Sequence, residues 1–366
     1  MDEKYCASLV LSGVGDAIGY RNGRWEFQTN PKKIWEEYQE MGGIDYIKVD
    51  SKEWRVSDDT VMQLATSIAI TRDNGDDFEK TCQEITTAYI RCLEDMGGRA
   101  PGRQTLESLA HFTPGMKKQL LKWDELPYAP AGGGCGAAMR SSCIGLKYWS
   151  PDAIGDLIRY SIESGRITHN HPVGFLGAMV AALFTSYAIQ QVPPRQWGTK
   201  LMNEALPLAK QYIEETRKEP NRTWENYEKG WNYFVNAWTS YLELRKIPFG
   251  EQTTTESNYP EFPEEYNYMD RDKFYHSLSF DGWGGSSGHD SVLISYDALL
   301  GAGSSWKEMI ERSAIHGGDN DSTGAIGCAW WGALYGFTGV PDINYQHLEY
   351  RRELYALAKA LLAQRK

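Results

Sequence analysis

Cysteine is sparse and unpatterned in this chain. Cys6, Cys82, Cys92, Cys135, Cys143 and Cys328 form no CxxC pair and no dense framework, which excludes a disulfide scaffold and predicts a reducing, intracellular setting. Positive charge is also in deficit. Thirty-eight Lys and Arg against 49 Asp and Glu leave a net charge of −11, which would repel a phosphate backbone, so nucleic acid is not expected as a partner. The N-terminal stretch is acidic, and its apolar run is broken by Ser12, Gly13 and Asp16. It lacks the basic start and long apolar centre of a signal peptide, and a cytoplasmic protein is expected. Uncharged runs at 172–194 and 322–341 approach the length of a membrane span, but Gly and hydroxyl residues interrupt both. They predict buried core helices and no membrane partner. With 41% hydrophobic and 24% charged residues, the chain has the composition of a folded globular protein, and disorder is excluded.

Alternating strand-like runs are scarce, whereas helical periodicity recurs. Val61, Met62, Leu64, Ala65, Ile68 and Ala69 follow Asp59 at three- and four-residue spacing, marking one buried helix face. Similar patterns run through 78–93, 154–162, 224–244, 306–315 and 354–362. The spacing predicts an all-α fold. Segments rich in Gly and Pro at 96–103, 129–136 and 282–288 fall between helices and read as site loops. The stretch 247–269 holds three prolines and five glutamates and no Lys or Arg, and predicts a solvated surface excursion. With no repeat and no shift in composition, residues 1–366 are expected to form a single domain.

Two acidic constellations stand at helix starts. Ser57-Asp58-Asp59-Thr60 opens the first periodic helix. Ser or Asp at that position is ordinary capping, but two adjacent carboxylates flanked by two hydroxyls also form a set of oxygen ligands suited to a hard cation. The run 316–324, His-Gly-Gly-Asp-Asn-Asp-Ser-Thr-Gly, repeats that chemistry with Asp319, Asp321 and Ser322 ahead of an apolar helix at 325–335. An EF-hand is excluded because loop position twelve is Trp330 rather than a bidentate Glu. A haloacid-dehalogenase-type phosphatase, whose nucleophile pattern is Asp-x-Asp-x-Thr, would place that motif after an apolar strand near the start of its domain. Should the two constellations meet, like charges roughly 4 Å apart would repel by about 4 kcal/mol at an effective dielectric of about 20. Divalent cations would relieve the repulsion.

Gly132-Gly133-Gly134-Cys135-Gly136 precedes an expected helix at 137–146. Backbone N–H groups at a helix start can receive phosphate, and glycine allows close approach. The run is neither a Walker loop nor a dinucleotide fingerprint. Residues 283–290, Trp-Gly-Gly-Ser-Ser-Gly-His-Asp, form a second loop of this kind. His169-Asn170-His171-Pro172 resembles a ligand pair, but structural use is the better reading, with Pro172 opening a helix. Cys135 reads as a small thiol without a base nearby, and Trp224, Trp231 and Trp238 as a packing stripe.

These residues together resemble the ADP-ribosylglycohydrolase family, most closely its ADP-ribosylarginine hydrolase branch. The motifs that carry the resemblance run in order along the chain: Gly15-Asp16-Ala17, Trp25-Glu26-Phe27, 54–60, Glu94-Asp95-Met96, 98–102, 133–140, 161–166, 282–290 and 317–323. The resemblance implies an all-helical fold holding two Mg²⁺, with Mn²⁺ as substitute. Ser57, Asp58 and Asp59 would serve one ion, Asp319 and Ser322 the other, with Asp321 bridging. It implies that Gly134, Cys135 and Gly136 cradle phosphate and that Phe280, Gly282, Ser286, Ser287 and Gly288 line the adenosine side. Phe280 stands where relatives often carry Tyr, which preserves stacking and loses a phenol hydrogen bond. Thr105 completes the substrate set, in a stretch that departs from the family's more Gly- and Ala-rich pattern. The expected activity is release of ADP-ribose from the arginine side chains of mono-ADP-ribosylated proteins by a monomeric enzyme. Asp59 is expected to activate water, Asp58 and Asp321 chiefly to hold metal, and Glu26 to orient the guanidinium. The alternatives are a hydrolase of serine-linked or O-acetyl-ADP-ribose, or a non-catalytic ADP-ribose reader.

Overall fold

Apolar residues at helical spacing produce helices throughout a computed structural model that describes residues 1–72, 77–250 and 260–366. The principal ones are α1 (Asp2–Tyr20), α2 (Asp58–Arg72), α3 (Phe78–Cys92), α4 (Ile154–Arg166), α5 (Pro172–Ile189), α6 (Trp224–Leu244), α7 (Tyr268–Leu278), α8 (Gly288–Ala302), α9 (Trp306–Ser313), α10 (Asn320–Tyr335) and α11 (Arg351–Ala363). Among the described residues there is no strand, only isolated bridges such as Gly134 with Ser287. The all-helical expectation holds. Each periodic segment became a helix whose ends fall within a few residues of the expected ones, the ordinary range of fraying and capping.

The helices enclose one apolar cluster whose members run from Tyr5 to Leu361. Helix α5 lies inside it. Its 18-residue apolar window has a mean hydropathy of 1.7 and is entirely buried in protein, as expected for a core helix that is apolar all round. At its middle Phe184 meets Trp197, Trp238, Tyr296 and Trp330, with ring centroids 5.2–5.6 Å away. Trp238 thus belongs to the packing stripe expected on α6.

The seam that matters most for the site is α1 against α10, the most extensive helix pairing in the molecule. A Cβ on Gly15 would stand 2.2 Å from the Gly324 carbonyl oxygen, and one on Gly324 would stand 2.5 Å from the Gly15 oxygen. Only glycine at both positions lets the two backbones cross so closely. The crossing brings Asp16 of α1 beside the acidic start of α10.

Two expectations need correction. The segment 137–146 is not one helix. A 3₁₀ turn over Cys135–Ala137 is followed by a separate helix over Ser142–Lys147, because bonding slips to i−3 where Ser141 N donates to Ala138 O and Ile144 N to Ser141 O. Between them the buried Arg140 is drawn away to donate to Ser164 O and Thr168 Oγ1. The second concerns 247–269, part of which lies outside the described residues. Of the rest, Pro263 to Glu265 are exposed as expected, but Ile247 is buried and Phe262 sits 4.5 Å from the Arg245 guanidinium, so the flanks are anchored.

Candidate active site

The start of α2 is built by capping from two directions. Ser57 Oγ accepts the Asp59 N–H at 3.1 Å, the local cap that the sequence predicts. The second cap comes from α1. Both Asp16 carboxylate oxygens lie within bonding distance of Ser57 N, at 2.9 and 3.2 Å, and Thr60 donates to Oδ2 from both its N–H, at 3.1 Å, and its hydroxyl. Asp58 and Asp59 follow in the first turn, 5% and 3% exposed. Burial first, then the charges of Asp16 and Asp319, push Asp58 well above the usual carboxylate range. Asp59 is raised by burial, Asp16, Asp58 and Asp319.

The start of α10 has the same design. Asp319 Oδ1 accepts the Ser322 N–H at 3.4 Å, and Asp321 Oδ1 accepts it at 2.9 Å. The helix begins at Asn320, five residues earlier than the apolar pattern implies, so Asp321 and Ser322 lie within its first turn. Burial pushes Asp321 well above its ordinary range, followed by the charges of Glu26, Asp59 and Asp319. The two constellations, 261 positions apart in sequence, therefore share one electrostatic neighbourhood. Glu26 joins them from the loop after α1 and is pushed up to about 9 by burial, then Asp319 and Asp58.

Three further loops close around the acids. Asp319 N donates to Gly284 O at 3.0 Å, and Phe27 N donates to Gly318 O at 2.7 Å. Cys135 N donates to Ser286 O at 3.0 Å, and Gly288 N to Gly133 O at 2.9 Å. The Cys135 thiol donates to Asp319 Oδ2 at 3.1 Å, and burial followed by the charge of Asp319 pushes it well above the usual thiol range, so it is no nucleophile at neutral pH. Alongside lies a cavity of about 610 Å³, walled by Phe27, Tyr128, His171, Tyr233, Phe280 and Trp283. That volume is in the range of small-molecule sites.

The residues expected to bind substrate divide into three groups. Gly134, Phe280, Ser286 and Ser287 line the cavity, and Phe280, 73% exposed, offers an open ring face at its rim. Cys135, Gly136 and Thr105 lie behind the loop, where a Cβ on Gly136 would stand 3.2 Å from Thr105 Oγ1. Gly282 and Gly288 do not line the cavity. Gly282 supplies a turn at φ +91°, and a Cβ on Gly288 would meet Val173 O at 2.0 Å, so it is there for the packing of α8 on α5.

The sequence reading missed two contributors. Asp16 lies in an apolar helix, and a lone acid on a buried face is the signal that could have found it. His169 stands out in the sequence beside His171, but there it reads as structural. It is 3% exposed, and burial, then Arg140, lower it to about 3, so the ring is neutral. Arg140 Nη2 donates to Thr168 Oγ1, and that hydroxyl lies 2.7 Å from His169 Nδ1. With the Thr168 hydroxyl donating to Nδ1, Nε2 carries the ring proton, and Nε2 would lie 3.4 Å from a Cβ on Gly134. His171 caps α5, its Nδ1 accepting the Val173 N–H at 3.2 Å just before Pro172 opens the helix, while its ring also walls the cavity.

Among the described residues, no three His, Cys, Asp or Glu side chains already form a group able to hold a metal ion. The chemistry of the donors nevertheless suits a hard cation. Asp59 Oδ2 is buried without a hydrogen-bond partner, and several buried acids with raised proton affinity surround it.

The family model described as ADP-ribosylglycohydrolase matches residues 1–366, and the chain belongs to that family. Among individual proteins, it is 55% identical over 361 residues to ADP-ribosylhydrolase ARH1 of Dictyostelium discoideum, covering 97% of this chain and 92% of that one. It is 29% identical to a putative ADP-ribosyl glycohydrolase, L444, of Acanthamoeba polyphaga mimivirus, covering 94% of this chain and 67% of the viral protein. The solved structure of an ADP-ribosylglycohydrolase-related protein complex shares the fold, with a TM-score of 0.62, 16% identity, and coverage of 100% of this chain and 99% of that one.

Proposed function

We propose that this protein is an ADP-ribosylhydrolase that cleaves the N-glycosidic bond between ADP-ribose and arginine side chains of mono-ADP-ribosylated proteins. The observation that carries the reading is the convergence of Asp58, Asp59, Asp319 and Asp321 beside an aromatic-walled cavity edged by the glycine loop. The likeness to a protein named ADP-ribosylhydrolase along nearly the whole chain supports it. Six unpaired thiols suit a cytoplasmic setting.

Two Mg²⁺, replaceable by Mn²⁺, would be held by Ser57, Asp58 and Asp59 on one side and by Asp319 and Ser322 on the other, with Asp321 between them. Bound there, they would neutralise the acids, hold the ribose hydroxyls and polarise a water. The chain's own groups do the rest. Phe280 stacks on adenine at the rim. Backbone N–H groups of the glycine loop and the Nε2 N–H of His169 donate to the diphosphate. As the guanidine departs, the ribose gains oxocarbenium-like positive charge, which the Asp58 and Asp321 carboxylates stabilise. Asp59, with an oxygen free of any partner, takes the proton of the attacking water. Glu26 holds the guanidinium, whose charge draws this acid back to its ionised form.

The test is release of ADP-ribose from an ADP-ribosylated arginine peptide. Chelation should abolish turnover and Mg²⁺ or Mn²⁺ should restore it. Full activity in thorough chelator would rule out the metal centre, and ADP-ribose binding without release would make the protein a reader.

A further inference from the structure

The residues that open α2 are gripped by a network centred on Arg99 and Glu349. Arg99 is 1% exposed, and every nitrogen of its guanidinium is engaged. Nε donates to Asp95 O at 2.8 Å, Nη1 to Val56 O at 2.8 Å and Glu349 Oε2 at 3.1 Å. The two N–H groups of Nη2 are shared among Glu349 Oε1 at 2.8 Å, Tyr350 OH at 3.0 Å and Asp95 Oδ1 at 3.2 Å. Glu349 Oε2 also accepts the Val56 N–H at 3.2 Å, so both polar groups of the Val56 backbone are fixed by this ion pair. The Arg99 carbonyl, for its part, accepts the Asp58 N–H at 3.0 Å.

The backbone around the pair is shaped for this purpose. Gly98 at φ +71°, Ala100 at φ +55° and Tyr350 at φ +58° are all left-handed. For Ala and Tyr that conformation is costly and persists only where the surroundings enforce it. Gly98 O accepts from Tyr20 OH at 2.8 Å, and Gly97 O from Arg55 Nη1 at 2.9 Å, which tie the same loop to the end of α1 and to the approach to α2.

We infer that Arg99 and Glu349 are positioning residues for the metal-binding turn, a bidentate clamp by which the segment ahead of α11 sets the backbone of Val56 and Asp58. The inference rests on the reading that Asp58 and Asp59 ligate a divalent cation. Charge-assisted bidentate pairs impose direction as well as attraction. A small rotation of residues 56–58 would swing both acids, and outer partners of ligands commonly control affinity by about 10- to 100-fold.

The experiment is calorimetric titration with Mg²⁺ of wild type, Arg99→Lys, Glu349→Gln and the double variant, well below their melting temperatures. Lysine keeps the charge and loses the fork. We expect the Mg²⁺ dissociation constant of folded Arg99→Lys to rise about tenfold or more. That of Glu349→Gln should also rise, and the double variant should be no worse than Arg99→Lys, since the two act as one unit. In turnover, kcat should fall while KM for the ADP-ribosylated peptide changes less than about threefold. A lowered melting temperature with wild-type Mg²⁺ affinity would reduce the clamp to a structural role and overturn the inference. Should Arg99→Lys not fold, Glu349→Gln decides by the same criterion. Failure of the wild type to bind Mg²⁺ would sink the metal reading and this inference with it.

Discussion

Gly134 and Gly136 lie two residues apart and should tolerate side chains very differently. Gly134 has ordinary extended geometry, φ −66° and ψ 166°, and the nearest atom to a new Cβ would be 3.4 Å away. Gly134→Val should therefore fold and crowd the diphosphate, weakening ADP-ribose by about tenfold, or 1.4 kcal/mol, in a calorimetric titration. Unchanged affinity would remove the loop from the site. At Gly136 the new Cβ would stand 2.8 Å from the buried His169 ring, so substitution there should lower the melting temperature as well. Among the acids, Asp58→Asn and Asp321→Asn should leave the metal-free protein folded, because each removes one of several mutually repelling buried charges. What should shrink is the rise in melting temperature on adding Mg²⁺. Unfolding of both variants would instead make capping their whole role.

Glu26 allows a prediction from pH. Its proton affinity in the folded chain, about 9, lies above the ordinary 4.5. Below about pH 4.5 both states hold the proton; between there and about 9 only the folded state does, so this group's contribution to stability falls as pH rises. Thermal melts of the metal-free protein from pH 5 to 9 should show that decline, and Glu26→Gln should make it shallower, the raised Asp58, Asp59 and Asp321 keeping the rest. A stability that climbs through the window would contradict it.

At the scale of elements, the crossing of α1 and α10 carries the site, because one helix brings Asp16 and the other Asp321. Gly15→Ala would place a methyl 2.2 Å from the Gly324 carbonyl oxygen. Overpacking of this kind costs about 1–3 kcal/mol, and separating the helices should also weaken Mg²⁺ binding. A melting curve and a Mg²⁺ titration of this variant should therefore change together. The capping residues of both acid-bearing helices were legible because a cap is local. The helix expected at 137–146 was not, because the pull of Ser164 and Thr168 on Arg140 comes from another part of the chain.

For the whole molecule the property to test is linkage. A cationic guanidinium would give Glu26 a partner that the neutral side chain of serine would not. Turnover of an ADP-ribosylarginine peptide should exceed that of an ADP-ribosylserine peptide by at least about tenfold, which asks for only about 1.4 kcal/mol of transition-state discrimination. Equal rates would retain the hydrolase and discard the arginine assignment. Slowing of the arginine substrate alone by Glu26→Gln would place the guanidinium at that acid.

The sequence by itself determined the helical class, the two acid-and-hydroxyl helix starts and the family. Periodicity, capping and ordered motifs are written in residues close together along the chain, where the backbone has few alternatives. Tertiary structure alone decided that Asp58 feels the charge of Asp319, that Asp16 caps α2 from α1, that His169 faces the glycine loop, and that Gly288 packs against Val173 of α5. It also decided the clamp, since Glu349 reaches Val56 across 293 positions. Contacts of that kind depend on how helices cross, and the crossing angles and glycine approaches emerge only when the whole core is packed.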